Sequence, residues 1–108
     1  MKRYTVDWAF VARDDVEDLA DYILTQDSAI NALKAVERIE NRAATLITLP
    51  MRGRIVPELQ RQGVTQFQEL IERPWRIIYQ LQASRVVIVS VLDGRRSLED
   101  LLLRRFLR

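Results

Sequence analysis

The stretch from Val86 to Leu92 is the feature that most limits how this 108-residue chain can fold. All of its residues except Ser90 are apolar, and most are valine or isoleucine. Such enrichment in β-branched side chains predicts a strand. Because the alternating positions on both sides are apolar, we predict a central strand that is covered on both faces. The rest of the chain must therefore build a sheet around this strand and supply the layers that cover it.

The first half of the chain predicts two amphipathic helices. Apolar residues recur at three- and four-residue steps over 10–26 and again over 29–47, which is the spacing of one helix face. Asp27 and Ser28 are suitable N-caps for the second helix, and Pro50 prevents its continuation. Since only a couple of residues connect the helices, we predict an antiparallel helical hairpin.

The remaining elements are three further strands and one final helix. Alternation and β-forming residues predict strands at 4–8, 67–72 and 75–81. Residues 50–66 follow neither a helical nor a strand period and are predicted to be a loop. Ser97 as N-cap, with Asp100 at the third helical position, predicts a helix over 98–107. The order β-α-α-β-β-β-α indicates a single α+β domain over 1–108, with the first strand and the helical hairpin packed on a twisted, mainly antiparallel sheet.

The residue types present exclude several classes of chemistry. The chain has no cysteine and no histidine, so thiolate nucleophiles, zinc–sulfur sites and imidazole acid–base catalysis are excluded. Its three glycines match no phosphate-binding loop, and its acidic residues show no ligand spacing. We therefore expect no metal and no cofactor. No stretch is apolar for long enough to span a membrane and no signal-peptide pattern is present, so a cytoplasmic location is expected.

Charge is distributed unevenly along the chain. Residues 1–50 carry 6 basic and 9 acidic side chains, whereas residues 51–108 carry 11 basic and 6 acidic ones, and all 11 of those bases are arginine. Arginine bonds phosphate or carboxylate through a planar fork, which lysine cannot do. A genome rich in G and C would explain the preference for arginine but not the segregation of charge. The second half therefore predicts a basic surface for an anionic partner.

Three arginines occupy notable positions in the predicted sheet. Arg76 lies in a strand, on the opposite face from Trp75, and is expected to point outward. Arg95 and Arg96 follow the central strand directly. If the last two strands form a hairpin around residues 83–84, all three arginines lie at one end of the sheet, and a small anion site there is one interpretation. The other interpretation is a set of solvated charges with little energetic effect.

The run Pro74-Trp75-Arg76-Ile77-Ile78-Tyr79, followed by the segment 86–96 ending in Asp93-Gly94-Arg95-Arg96, resembles the RelE/ParE family of bacterial toxins. Val6-Asp7-Trp8 with the apolar residues of the first helix is similar to the start of that family, and the segment 53–59 is similar to its loop after the helical hairpin. The resemblance covers essentially the whole chain and rests on the order and spacing of these motifs together.

The resemblance implies the toxin of a type II toxin–antitoxin module, with a cognate antitoxin as its partner. Such toxins cause growth arrest and plasmid stabilisation, and they contact operator DNA only through the antitoxin complex. RelE-like members cleave messenger RNA on the ribosome, whereas ParE-like members poison DNA gyrase.

The positions that the nuclease members use are only partly kept here. Arg76 and Arg96 match the arginines of the nucleases and would be catalytic if this chain were one. However, Phe67 and Glu69 stand where the resemblance implies lysines, and Leu102 stands where it implies a tyrosine. A glutamate beside the scissile phosphate would oppose stabilisation of the transition state. We therefore prefer the interpretation that the chain is a ParE-like inhibitor of gyrase. Two alternatives remain: a ribosome-dependent endoribonuclease of RelE type, and an inactive homologue that acts as a binding partner in operon autoregulation.

For the ParE-like reading we expect a binding inhibitor rather than an enzyme. The residues expected to contact its target are Arg54, Trp75, Arg76, Arg95 and Arg96. The C-terminal segment is unusually apolar, which predicts either a helix that covers the sheet or an exposed patch. Within it, Leu101, Leu102 and Phe106 are expected to bind the antitoxin, which would replace or shield this segment.

Overall fold

The computed structural model describes residues 2–107. The strands are β1 (Thr5–Trp8), β2 (Arg54–Ile55), β3 (Phe67–Glu72), β4 (Trp75–Gln82) and β5 (Arg85–Asp93). The helices are α1 (Phe10–Gln26), α2 (Ala29–Ala44), α3 (Pro57–Gln60) and α4 (Glu99–Phe106), with a 3-10 turn at Thr45–Ile47 after α2. The predicted α+β class and the mainly antiparallel sheet are confirmed.

The five strands form one sheet in the order β1-β5-β4-β3-β2. Only β1 and β5 are parallel, and the other three neighbouring pairs are antiparallel. The β4–β5 hairpin places Trp75 opposite Asp93 and Arg76 opposite Leu92. This register confirms that Arg76 and the residues after β5 lie at the same end of the sheet.

The helical hairpin of α1 and α2 covers one face of the sheet, as its periodicity predicts. Ile39 and Leu46 are completely buried there against Ile77 and Ile88, in the first core of the protein. Ser28 is the N-cap of α2, and its Oγ accepts a hydrogen bond from the backbone N–H of Asn31. The cap and the apolar stripe together account for the position of α2, because the cap fixes its start and the stripe fixes its orientation.

The opposite face of the sheet is covered by α3 and α4. Leu59 of α3 and Leu102 of α4 are completely buried there and pack with Ile78 and Leu92 in a second core. The central strand β5 therefore has a packed layer on each side, as its apolar composition predicts. Of the two interpretations of the C-terminal segment, the helix that covers the sheet is correct.

The prediction for 50–66 was wrong, because this segment contains β2 and α3. Both elements are too short to show a period, and long-range contacts hold them in place. The buried Tyr79 hydroxyl donates to the carbonyl of Pro50 at 2.8 Å and accepts from the N–H of Gly53 at 3.0 Å. Any side chain at Gly53 would collide with that hydroxyl, since an added Cβ would lie 2.6 Å from it.

The predicted cap of the last helix was also wrong. The N-cap of α4 is Leu98, and no side chain caps this helix. Burial of Leu98 in the second core places it at the start of the helix, so Ser97 lies one position too early to cap it. Glu99 and Asp100 in the first turn still interact favourably with the helix dipole.

Candidate functional site

Arg76 is the centre of a buried network of ion pairs between β4, β3 and α3. Its Nε donates to Oε1 of Glu69 at 2.7 Å. Its two Nη atoms donate to the two carboxylate oxygens of Glu58, each at 2.7 Å. Arg54 of β2 also donates from its Nε to the other oxygen of Glu69 at 2.7 Å. Two arginines and two glutamates are thus linked in one chain of charge-assisted hydrogen bonds.

The side chain of Glu69 is completely buried in this network. Glu69 lies opposite Arg54 across the β2–β3 pair, which brings the two side chains together. A buried carboxylate is tolerated only when it is paired and hydrogen bonded, and Glu69 has one arginine on each oxygen. Glu69 and Glu58 together therefore balance the charges of Arg54 and Arg76.

The network shifts the protonation equilibria of its members. The hydrogen bonds from Arg76 lower the pKa of Glu58 from 4.5 to about 2, against the opposing effect of desolvation. The same hydrogen bonds to Glu58, followed by those to Glu69, raise the pKa of Arg76. Glu58 is therefore ionised at neutral pH and is a poor proton acceptor.

The expectation that Arg76 points outward was wrong. Arg76 does face away from the Trp75 side of β4, but it is only 9% exposed because α3 supplies Glu58 above it. Trp75 is buried in the first core, with the guanidinium of Arg38 at 5.2 Å from its ring. Neither residue presents a free side chain to a partner in this conformation, and their expected contacts with a target remain predictions.

The other predicted contact residues are exposed. Arg95 binds Asp93 through its Nε and Nη2, at 3.0 and 2.7 Å, and this bond lowers the pKa of Asp93. Arg96 is exposed and has no carboxylate within ion-pair distance among residues 2–107. Arg54 keeps 60% of its side chain exposed although it binds Glu69. Arg54, Arg95 and Arg96 therefore remain accessible for binding an anionic partner.

Two depressions flank these arginines at the end of the sheet. A groove of about 870 Å³ lies between α1 and the start of α4, with Tyr22, Asp18, Leu101 and Arg96 among its lining residues. A second cavity of about 500 Å³ lies on the other side of the 93–95 turn. Its lining residues are Arg54, Ile71, Arg73, Pro74, Arg76 and Gly94. The predicted cluster of guanidinium groups is thus divided between two sites.

Sequence reasoning missed Glu58 as a member of the site. The signal for it was the dipeptide Pro57-Glu58, since proline at the first helical position followed by an acidic residue is typical of a helix start. The contact with Arg76 could not be read from this signal, because α3 and β4 are brought together only by the tertiary fold.

The three residues expected to bind the antitoxin occupy different environments in α4. Leu102 is completely buried in the second core, Leu101 is half-buried beside the groove, and Phe106 packs on Phe67 with ring centroids 4.6 Å apart. Arg105 fastens this helix to α1, with bonds to both carboxylate oxygens of Asp15 at 2.8 and 3.1 Å. Their role in antitoxin binding stays a prediction.

Neither a metal site nor a membrane span is found in the part of the chain that the structure describes. No three acidic side chains there are grouped so that they could hold a metal ion. No helix between residues 2 and 107 is long and apolar enough to cross a membrane.

The fold is shared with chains from solved toxin–antitoxin complexes. A chain of the chromosomal ParDE system from P. aeruginosa superimposes with a TM-score of 0.71 at 20% identity, covering 84% of this chain and 96% of that one. A chain of the RelBE2 complex from Mycobacterium tuberculosis superimposes with a TM-score of 0.61 at 21% identity, covering 84% and 98%. No curated protein sequence gives a significant match.

The sequence profile of one family matches most of the chain. That family is described as the ParE toxin of the type II toxin–antitoxin system parDE, and the match extends over residues 6–98. This chain belongs to the ParE toxin family. The resemblance to the RelE/ParE toxins is therefore confirmed, and α4 lies outside the matched residues.

Proposed function

We propose that this toxin inhibits DNA gyrase by binding, stabilising a cleaved DNA–gyrase intermediate without itself making or breaking bonds. The observation that carries the proposal is the buried Glu69 between Arg54 and Arg76. In this arrangement Nε and both Nη atoms of Arg76 donate to Glu69 and Glu58 rather than to a scissile phosphate. The membership of the ParE family supports the same choice of target.

The groups near Arg76 do not supply an acid–base pair for RNA cleavage. Glu58 has a pKa of about 2 and both of its oxygens bind Arg76. Burial raises the pKa of Tyr79, and its hydroxyl is engaged with the 50–53 backbone on the other face of the sheet. Leu102 stands where the resemblance to the nucleases implies a tyrosine, and its buried side chain has no group that could transfer a proton. An efficient general base requires a pKa close to the working pH and access to the reacting proton, and these groups lack one or both.

A gyrase assay tests the proposed target directly. Purified toxin added to gyrase and relaxed plasmid is expected to block supercoiling or to accumulate cleaved DNA. Arg96→Ala should weaken this inhibition, whereas Arg13→Ala, which changes an exposed arginine of α1 outside the groove, should not. Undiminished supercoiling at saturating toxin, together with ribosome-dependent cleavage of messenger RNA that Arg96→Ala abolishes, would establish the endoribonuclease instead. Cell growth unaffected by the toxin would indicate an inactive homologue.

We further propose that a cognate antitoxin neutralises the toxin at α4, and that the toxin reaches operator DNA only within that complex. The half-buried Leu101 and Phe106 border exposed surface, so a partner segment can cover them without unfolding the second core. Leu101→Gln is expected to weaken antitoxin binding, whereas Leu33→Gln, which changes an exposed leucine of α2, should not. Equal antitoxin affinity in the two folded variants would contradict this role for α4.

A further inference from the structure

The cavity beside the 93–95 turn is unusually basic. Of its six lining residues three are arginines, Arg54, Arg73 and Arg76, and none is acidic. The two carboxylates of the network, Glu58 and Glu69, lie behind this lining and hold two of the guanidinium groups in place. With three guanidinium charges against two carboxylates, the cluster retains one unit of positive charge.

The hydrogen-bond donors in the cavity are only partly used. A guanidinium carries five N–H groups. Arg54 uses its Nε–H on Glu69, which leaves the four Nη hydrogens without a partner among residues 2–107. The side chain of Arg73 has no partner within the same range, since only its backbone carbonyl is bonded, to Arg38. Because Nε of Arg54 is tied to a buried group, its Nη edge is held in one orientation before any ligand arrives.

Gly94 keeps one wall of the cavity open. A Cβ at this position would lie 3.0 Å from the carbonyl oxygen of Pro74 and 3.1 Å from Cγ of Arg76. The turn is fixed by a hydrogen bond of 2.7 Å from the N–H of Gly94 to the same carbonyl. The absence of a side chain therefore lets the turn approach the stem of Arg76 and leaves a depression of about 500 Å³.

We infer that this cavity is a phosphate-binding subsite, in which Arg54 and Arg73 bond the phosphate oxygens and Arg76 forms a fixed basic floor. Phosphate fits better than a carboxylate because the unused donors of Arg54 and Arg73 exceed the four acceptor positions of one carboxylate. The phosphate is that of a DNA backbone or of a free anion. The DNA source rests on the proposed gyrase function, whereas the anion site itself does not.

Titration of the arginine Nε–H signals by NMR tests the subsite. With inorganic phosphate at constant ionic strength, the signals of Arg54 and Arg73 should shift and saturate, while that of the exposed Arg13 should not. Arg73→Gln should weaken the affinity about tenfold, the effect of losing a charge-assisted hydrogen bond, and the matched Arg13→Gln should leave it unchanged. Equal shifts with acetate, or an unchanged affinity in Arg73→Gln, would overturn the assignment.

A second titration with a short DNA duplex distinguishes the two sources of phosphate. If the backbone of DNA occupies the subsite, Arg73→Gln should reduce the slope of log affinity against log salt by about 1. If inorganic phosphate binds saturably but the duplex does not shift the Nε–H signals of Arg54 and Arg73, a free anion is the ligand. Tighter binding of single-stranded RNA than of the duplex would contradict the DNA source. If the wild-type toxin inhibits gyrase but does not bind inorganic phosphate, the subsite is refuted and the gyrase proposal stands. If it binds phosphate but does not inhibit gyrase, the gyrase proposal is refuted and the anion site stands.

Discussion

Replacement of Glu58 by glutamine is the most informative perturbation of the buried network. Glu58 binds Arg76 through both carboxylate oxygens, and its side chain is 16% exposed. Glutamine has nearly the same shape but lacks the charge, and it can accept at only one of its two terminal atoms. The variant therefore removes the ion pair while leaving the packing of α3 almost unchanged.

The magnitude follows from the lowered pKa of Glu58. A decrease from 4.5 to about 2 corresponds to up to about 3 kcal/mol of stability at neutral pH. Because the pKa is lower in the folded state, this contribution is fully present above pH 4.5 and is lost as the pH falls towards 2. At pH 3 roughly 2 kcal/mol of it should already be lost. The stability difference between wild type and Glu58→Gln should narrow by that amount between pH 7 and pH 3.

Guanidinium chloride denaturation at a series of pH values measures this difference. Glu40→Gln, on an exposed face of α2, is the matched control and should change stability by no more than about 0.5 kcal/mol at any pH. Comparison of the two variants with wild type at each pH removes the contributions of the other acidic groups. A constant difference between wild type and Glu58→Gln from pH 7 to pH 3 would show that the carboxylate is not stabilised by Arg76.

Three further variants test the contacts that hold the 50–53 segment and α4. Tyr79→Phe removes the hydroxyl that bonds Pro50 and Gly53 and should lower the free energy of unfolding by about 1–3 kcal/mol, measured by urea denaturation. Gly53→Ala should lower the free energy of unfolding by at least as much in the same assay, because the new Cβ would lie 2.6 Å from the Tyr79 hydroxyl. A free energy of unfolding equal to that of wild type would contradict this packing. Arg105→Gln breaks the bonds to Asp15 and should increase amide hydrogen exchange in α4 by about tenfold or more, with little change in α2. Uniform acceleration across the chain would instead indicate global destabilisation.

The main elements of the fold were predictable because their signals are local. The helical stripes, the Ser28 cap and the β-branched run in β5 each depend on residues close together in the sequence. The short elements β2 and α3 could not be predicted from periodicity, since neither is long enough to show a period. They are held instead by the hydroxyl of Tyr79, 26 residues beyond its partner Gly53, and by the guanidinium of Arg76, 18 residues beyond its partner Glu58.

The candidate site shows the same division. Strand alternation and hairpin register are local rules, so they were enough to predict which face of β4 carries Arg76 and which end of the sheet it shares with Arg95 and Arg96. The burial and pairing of Arg76 could not be predicted in this way, because they depend on Glu58 and Glu69, which two separate elements bring to it in the folded chain. A charge in a sequence acquires its chemical role from the groups that surround it in space, and desolvation and pairing are properties of the assembled fold.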